Sequence, residues 1–75
     1  MFAYAMKKIA IHLEREADGR WIAEADGFPG VLAYGATRDE AFQAAAALCL
    51  RVILDRMEHG EAPSVAIVDE LFAVA

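Results

Sequence analysis

The chain is poor in the residues that catalysis, covalent bracing and metal binding need. A single cysteine, Cys49, leaves no internal disulfide to form, so nothing argues for an oxidising compartment. Two histidines, His12 and His59, stand without the cysteine and histidine spacing of a metal centre, and neither a metal nor a cofactor is expected. No G-x-S-x-G, P-loop or G-x-G-x-x-G pattern occurs, so the common nucleophile and nucleotide motifs are missing. Basic residues are few, seven against twelve acids, and the formal charge is −5. That balance disfavours direct binding to a phosphate backbone, RNA included, which takes clustered Lys and Arg; a basic protein is the more natural partner.

Long apolar runs are also lacking, and none approaches the ~20 residues of a membrane span. The opening M-F-A-Y-A-M has no charged region before it and no cleavage site after it, so it does not read as a signal peptide, and a cytoplasmic location is expected. Neither repeats nor linkers divide the chain, and residues 1–75 read as one domain. What is abundant is apolar side chain: 59 %, above the ~45–50 % usual for soluble domains. More apolar surface than one small core can hide points to self-association or a partner.

Ile9, Ile11 and Leu13 alternate with Lys8, Ala10, His12 and Glu14, which predicts a strand within Lys7 to Glu16. Asp18-Gly19 is the favoured pair of a type I′ hairpin turn, so Trp21 to Ala25 is the returning strand. Its two faces are Trp21, Ala23 and Ala25 against Ile22 and Glu24, and the sequence does not say which meets the core. Asp26 to Gly30 is a loop, with Pro29-Gly30 a turn dipeptide, and Val31 to Tyr34 is a third strand. Gly35 breaks it. Thr37-Arg38-Asp39-Glu40 fits the S/T-x-x-E capping box and starts a helix from about Arg38 to about His59, with Gly60 as a left-handed stop. Ala41, Phe42, Ala45, Leu48, Cys49, Val52 and Ile53 form its predicted sheet-facing side. Val65 to Val68 fits a fourth strand, giving an α+β, two-layer β-β-β-α-β domain.

Two stretches carry a family likeness. A hairpin ending W-I-A-E, then P-G, a strand, G-A-T-R-D-E-A and a long helix resembles the HicB-like antitoxin domain, through Trp21, Glu24, Pro29, Gly30, Gly35, Thr37, Glu40 and Ala41. The likeness runs from about Ile9 to Val68. It departs where the family has an acid directly before the residue preceding Pro-Gly: Gly27 stands there, with Asp26 one step earlier. The resemblance implies an antiparallel meander crossed by the helix, with the last strand beside the first, similar to a truncated ribonuclease H fold. It implies a partner as well, the HicA toxin, a small basic protein that cleaves messenger RNA using a histidine and that HicB-like domains neutralise by covering it. Family members often continue into a DNA-binding module; none is read in these 75 residues, so direct autoregulation at DNA is not expected.

The candidate site residues follow from both readings. Glu14, Glu16, Asp18, Glu24 and Asp26 gather acid in the hairpin and its loop, either as a solvated surface or as a landing surface for an electropositive partner. Trp21, Glu24 and Asp26 are the partner-binding candidates. A second helical stripe, Ala46, Leu50, Leu54 and Met57, together with Leu71 and Phe72 of the apolar tail, is the self-association candidate for a homo-oligomer, a dimer or tetramer; the alternatives for the tail are packing over the stripe within one chain and addition to a sheet edge. Cys49 falls on the core side of the helix, and the predicted inner face of the first strand carries no carboxylate, so nuclease or thiol chemistry is not expected and the chain is not read as an enzyme. The expected function is that of a HicB-like antitoxin domain; the alternative is a stand-alone oligomeric HicB-like module with no toxin.

Overall fold

The structure is a computed structural model and describes residues 8–60. The expected fourth strand at Val65 to Val68 and the tail with Leu71 and Phe72 lie outside the described residues. Within them the chain is an α+β unit: β1 (Ile11–Arg15), β2 (Trp21–Ala25), β3 (Leu32–Gly35) and α1 (Arg38–Glu58). The strands form an antiparallel sheet in the order β1-β2-β3, with Leu13 opposite Ala23 and Ala23 opposite Ala33.

Alternation decides which side of the sheet is covered. Ile11, Leu13, Trp21, Ala23 and Ala33 point to the helix and gather around Ala41 and Ala45; Ala23, Ala41 and Ala45 have no exposed surface at all. Methyl groups on both layers let the first half of α1 approach the strands closely. Further along, Cys49 and Ile53 meet larger side chains, Phe28 and Val31, with Ile9, Leu48 and Val52 packed around them. Phe28 therefore belongs to the core although it sits between two turns, and burying a side chain of that size contributes roughly 1.5–3 kcal/mol.

The connections show how the sequence sets these positions. The β1–β2 turn is not type I′, because that turn needs two left-handed residues and only Gly19 has positive φ there. Gly19 N–H donates to the Glu16 carbonyl and Glu16 N–H to the Arg20 carbonyl, closing a three-residue loop, Ala17 to Gly19. After β2, Val31 N–H donates to the Phe28 carbonyl across Pro29-Gly30 with Gly30 at φ 87°, the signature of a type II turn, whose third residue lies in the left-handed region. Strand β3 starts one residue later than expected and ends on Gly35.

The capping box is present in a shifted form. Thr37 Oγ1 accepts from the Glu40 N–H at 3.1 Å, while the Glu40 carboxylate accepts from the N–H of Ala36, one residue before the N-cap. Thr37→Ala is expected to cost about 1 kcal/mol. Urea unfolding should show a lower midpoint at unchanged slope, with Thr37→Ser near the parent. At the other end His59 caps the helix and Gly60 takes positive φ, as the sequence indicates.

One helix residue departs from the sequence pattern. Phe42 was expected against the sheet but is 45 % exposed. The buried positions, Ala41, Ala45, Cys49 and Ile53, advance in steps of four, so the residue after each of them falls on a neighbouring ridge. Phe42 thus joins Ala46, Leu50 and Leu54.

Candidate functional site

Among the described residues, two surfaces remain after the core is filled. The first is the sheet face turned away from α1. Alternation places His12 and Glu14 of β1, Ile22 and Glu24 of β2, and Leu32 and Tyr34 of β3 on it. The register makes two rows: His12, Glu24 and Leu32 in one, Glu14, Ile22 and Tyr34 in the other. Carboxylates occupy the β1–β2 half, and apolar side chains occupy the β2–β3 half.

A shallow cavity of about 320 Å³ lies on this face, lined by His12, Glu14, Ile22, Glu24 and Leu32 among others. A neighbouring depression of about 250 Å³ brings His12 and Glu24 together with Asp26, Phe28 and Pro29. At the far corner the Arg20 guanidinium sits 4.6 Å from the Tyr34 ring centroid, while its Nε donates to Asp18 at 2.8 Å. Donation from the Arg20 backbone N–H and side chain holds the Asp18 carboxyl below its usual range. Its small contribution to turn stability is therefore present at neutral pH and is lost as the pH falls through that lowered value. Among the described residues, no cation lies within salt-bridge distance of Glu14 or Glu24.

The three partner-binding candidates are divided by this geometry. Glu24 and Asp26 share the open side with His12, whereas Trp21 is half-buried against the helix-side alanines. Ile22, Leu32 and Tyr34, which the sequence reading passed over, supply the apolar half instead. Their signal is the period of two itself, once the inner side of β2 is known.

The second surface is the ridge on α1. Leu50, Leu54 and Met57 are each a little over half exposed, and Phe42 and Ala46 continue the ridge toward the helix start. It borders β1, the strand with the least helix cover, and a cavity of about 280 Å³ opens there between Ile9, Ile11, Phe42, Ala46 and Leu50. Of the self-association candidates, Ala46, Leu50, Leu54 and Met57 lie on or beside this ridge, and Leu71 and Phe72 lie outside the described residues.

The chemistry-bearing side chains are dispersed. Cys49 is buried, and burial pushes its thiol up, away from the reactive thiolate. His59 Nδ1 lies 2.8 Å from the Asp55 carbonyl oxygen in the last helical turn, where a protonated imidazole also complements the helix dipole. His12 sits opposite Glu24 on the open sheet face. Among the described residues no group of three or more His, Cys, Asp or Glu is placed to hold a metal ion, and no helix is long and apolar enough to cross a membrane.

Searches against protein-family models, curated proteins and solved structures found no match. Leu50→Glu and Leu54→Glu place a carboxylate on the ridge and are expected to change the oligomeric state or the melting temperature. Light scattering and thermal unfolding check this, and unchanged values for both would exclude the ridge from either role.

Proposed function

We propose that the chain is a HicB-like antitoxin-type domain that binds a small basic HicA-type toxin and neutralises it by covering its active surface. The observation that carries the reading is the open sheet face, where Glu14 and Glu24 stand beside apolar Ile22, Leu32 and Tyr34 with no cation of the described residues paired to either carboxylate. Opposite potentials speed encounter and set orientation, and apolar contact supplies the holding energy. The order of turn, strand, glycine and capping box also supports it, since Pro29, Gly30, Gly35, Thr37 and Glu40 each take a defined place in that frame.

The same proposal keeps the fourth strand, Val65 to Val68, which lies outside the described residues, beside β1. A strand leaving α1 by a right-handed crossover can reach that edge, and the cavity between β1 and the ridge is lined with apolar residues it could cover. The ridge beyond it supports the second reading, a stand-alone homo-oligomeric module that uses Leu50, Leu54 and Met57 between copies.

Co-expression separates the two readings. If the adjacent reading frame encodes a small basic protein, the first reading expects it to co-purify with this chain and expects its growth arrest to be relieved. The second expects a defined oligomer of this chain alone and no relief.

A further inference from the structure

The open face holds more detail than a general attraction for positive charge. Glu14 lies opposite Ile22, and Glu24 is two residues along β2 from Ile22, so the two carboxylates are diagonal neighbours across the β1–β2 pair. Diagonal positions of this kind stand about 7–8 Å apart. Ile22 lies beside both, Leu32 flanks Glu24 on β3, and a cavity of about 320 Å³ opens among them. Two carboxylate acceptors over an apolar floor match one side chain better than others. A guanidinium is planar, permanently charged and carries five donors in a fixed fork, and its three-carbon stem packs on apolar surface.

We infer that the depression between Glu14 and Glu24 is a seat for an arginine side chain of a basic partner protein, its stem on Ile22 and Leu32 and its guanidinium shared by the two carboxylates. Arg20 does not fill this seat, because it is engaged at the other corner by Asp18 and the Tyr34 ring. His12 stands opposite Glu24 and lines the same cavity, and Asp26 beside it extends the negative field toward the loop. The seat rests on the protein-binding reading above and not on the partner being a toxin.

The test uses the full chain and a short probe, the blocked peptide Arg-Leu-Arg-Val-Arg, titrated at low salt and followed by amide and methyl NMR shifts. Shifts are expected to centre on Ile22, Glu24 and Leu32. The Glu14→Gln/Glu24→Gln double variant should bind about tenfold more weakly, as expected when two charge-assisted contacts are lost. A control with the same change of charge on the helix, Asp55→Asn/Glu58→Gln, should bind within about twofold of the parent, since exposed distant charges are largely screened. The lysine counterpart of the peptide should bind several-fold more weakly, because an ammonium cannot engage as a fork.

Equal weakening in the control would make the attraction diffuse and overturn the seat. So would shifts centred on Phe42 and Leu50, equal binding of the lysine peptide, or no binding at millimolar probe. A toxin captured by a chain whose open face does not respond would leave the protein-binding reading in place and remove the seat. A responsive face with no toxin would do the reverse.

Discussion

Gly35→Ala is expected to lower stability by about 2–3 kcal/mol, although it adds one methyl group and requires no unusual backbone angle. Gly35 ends β3 beneath the first turn of α1, and a Cβ there would run into the Ala41 backbone nitrogen and come within 2.8 Å of the Glu40 carbonyl carbon. The obstruction is backbone, which cannot rotate away as a side chain can. Overpacking costs about 1–3 kcal/mol and occasionally more, and an obstruction by backbone belongs at or above the upper end; the gain of about 0.4–1 kcal/mol from a stiffer unfolded chain then leaves a net loss of about 2–3 kcal/mol. For a domain this small, each kcal/mol moves the melting temperature by about 4–8 °C, so a loss of about 8–24 °C is expected in a calorimetric scan. Gly30→Ala is the comparison: its added Cβ meets open space and pays only for positive φ, roughly 1–2 kcal/mol. If Gly35→Ala melts no lower than Gly30→Ala, the helix start is not seated on the end of β3 as described.

Phe28→Ala has a larger expected effect, about 3–5 kcal/mol. Phe28 is 3 % exposed and joins Ala25, Val31, Cys49 and Ile53, and the Arg56 guanidinium lies 5.8 Å from its ring centroid. A core of this size rarely supplies more than about 3–5 kcal/mol in total, so the variant is expected to be largely unfolded at 25 °C. Circular dichroism and the spread of amide NMR shifts measure that directly. Phe28→Leu, which keeps most of the volume, should remain folded and lose less than about 1.5 kcal/mol. A folded Phe28→Ala would mean that the loop between β2 and β3 contributes little to the core.

Phe28 also marks the limit of what the chain's pattern reveals. Local rules identify elements whose cause is local: Trp21 to Ala25 as a strand, Thr37 as the N-cap, Gly60 as the left-handed stop. They do not say that an aromatic residue between two turns folds under the helix, because that contact depends on Cys49 and Ile53, distant in sequence. The Asp18-Gly19 pair indicated a hairpin correctly and its turn type wrongly, since the choice between two- and three-residue loops depends on pairing that Glu16 and Arg20 supply.

The candidate site was legible in its charges and not in its sides. Glu24 and Asp26 are acids on the open side, whereas Trp21, a candidate through the W-I-A-E likeness, alternates with Ile22 and lies on the inner layer. Alanine on β2 at 23 and 25 and on the helix at 41 and 45 was the available signal, because small residues on two elements fit a close contact between them. Phe42 differs for a related reason: a face drawn with mixed steps of three and four is wider than the single ridge that the three described strands cover.

The proposed action is capture of a basic protein by the open face of the sheet. Where the adjacent reading frame encodes a small basic protein, the most direct measurement is growth of cells expressing that protein alone, with this chain, and with its Glu14→Gln/Glu24→Gln variant at equal abundance. Arrest by the basic protein, relief by the parent chain and weaker relief by the variant is the predicted result. Arrest that persists with the parent chain present, or relief that the variant gives in full, would contradict it.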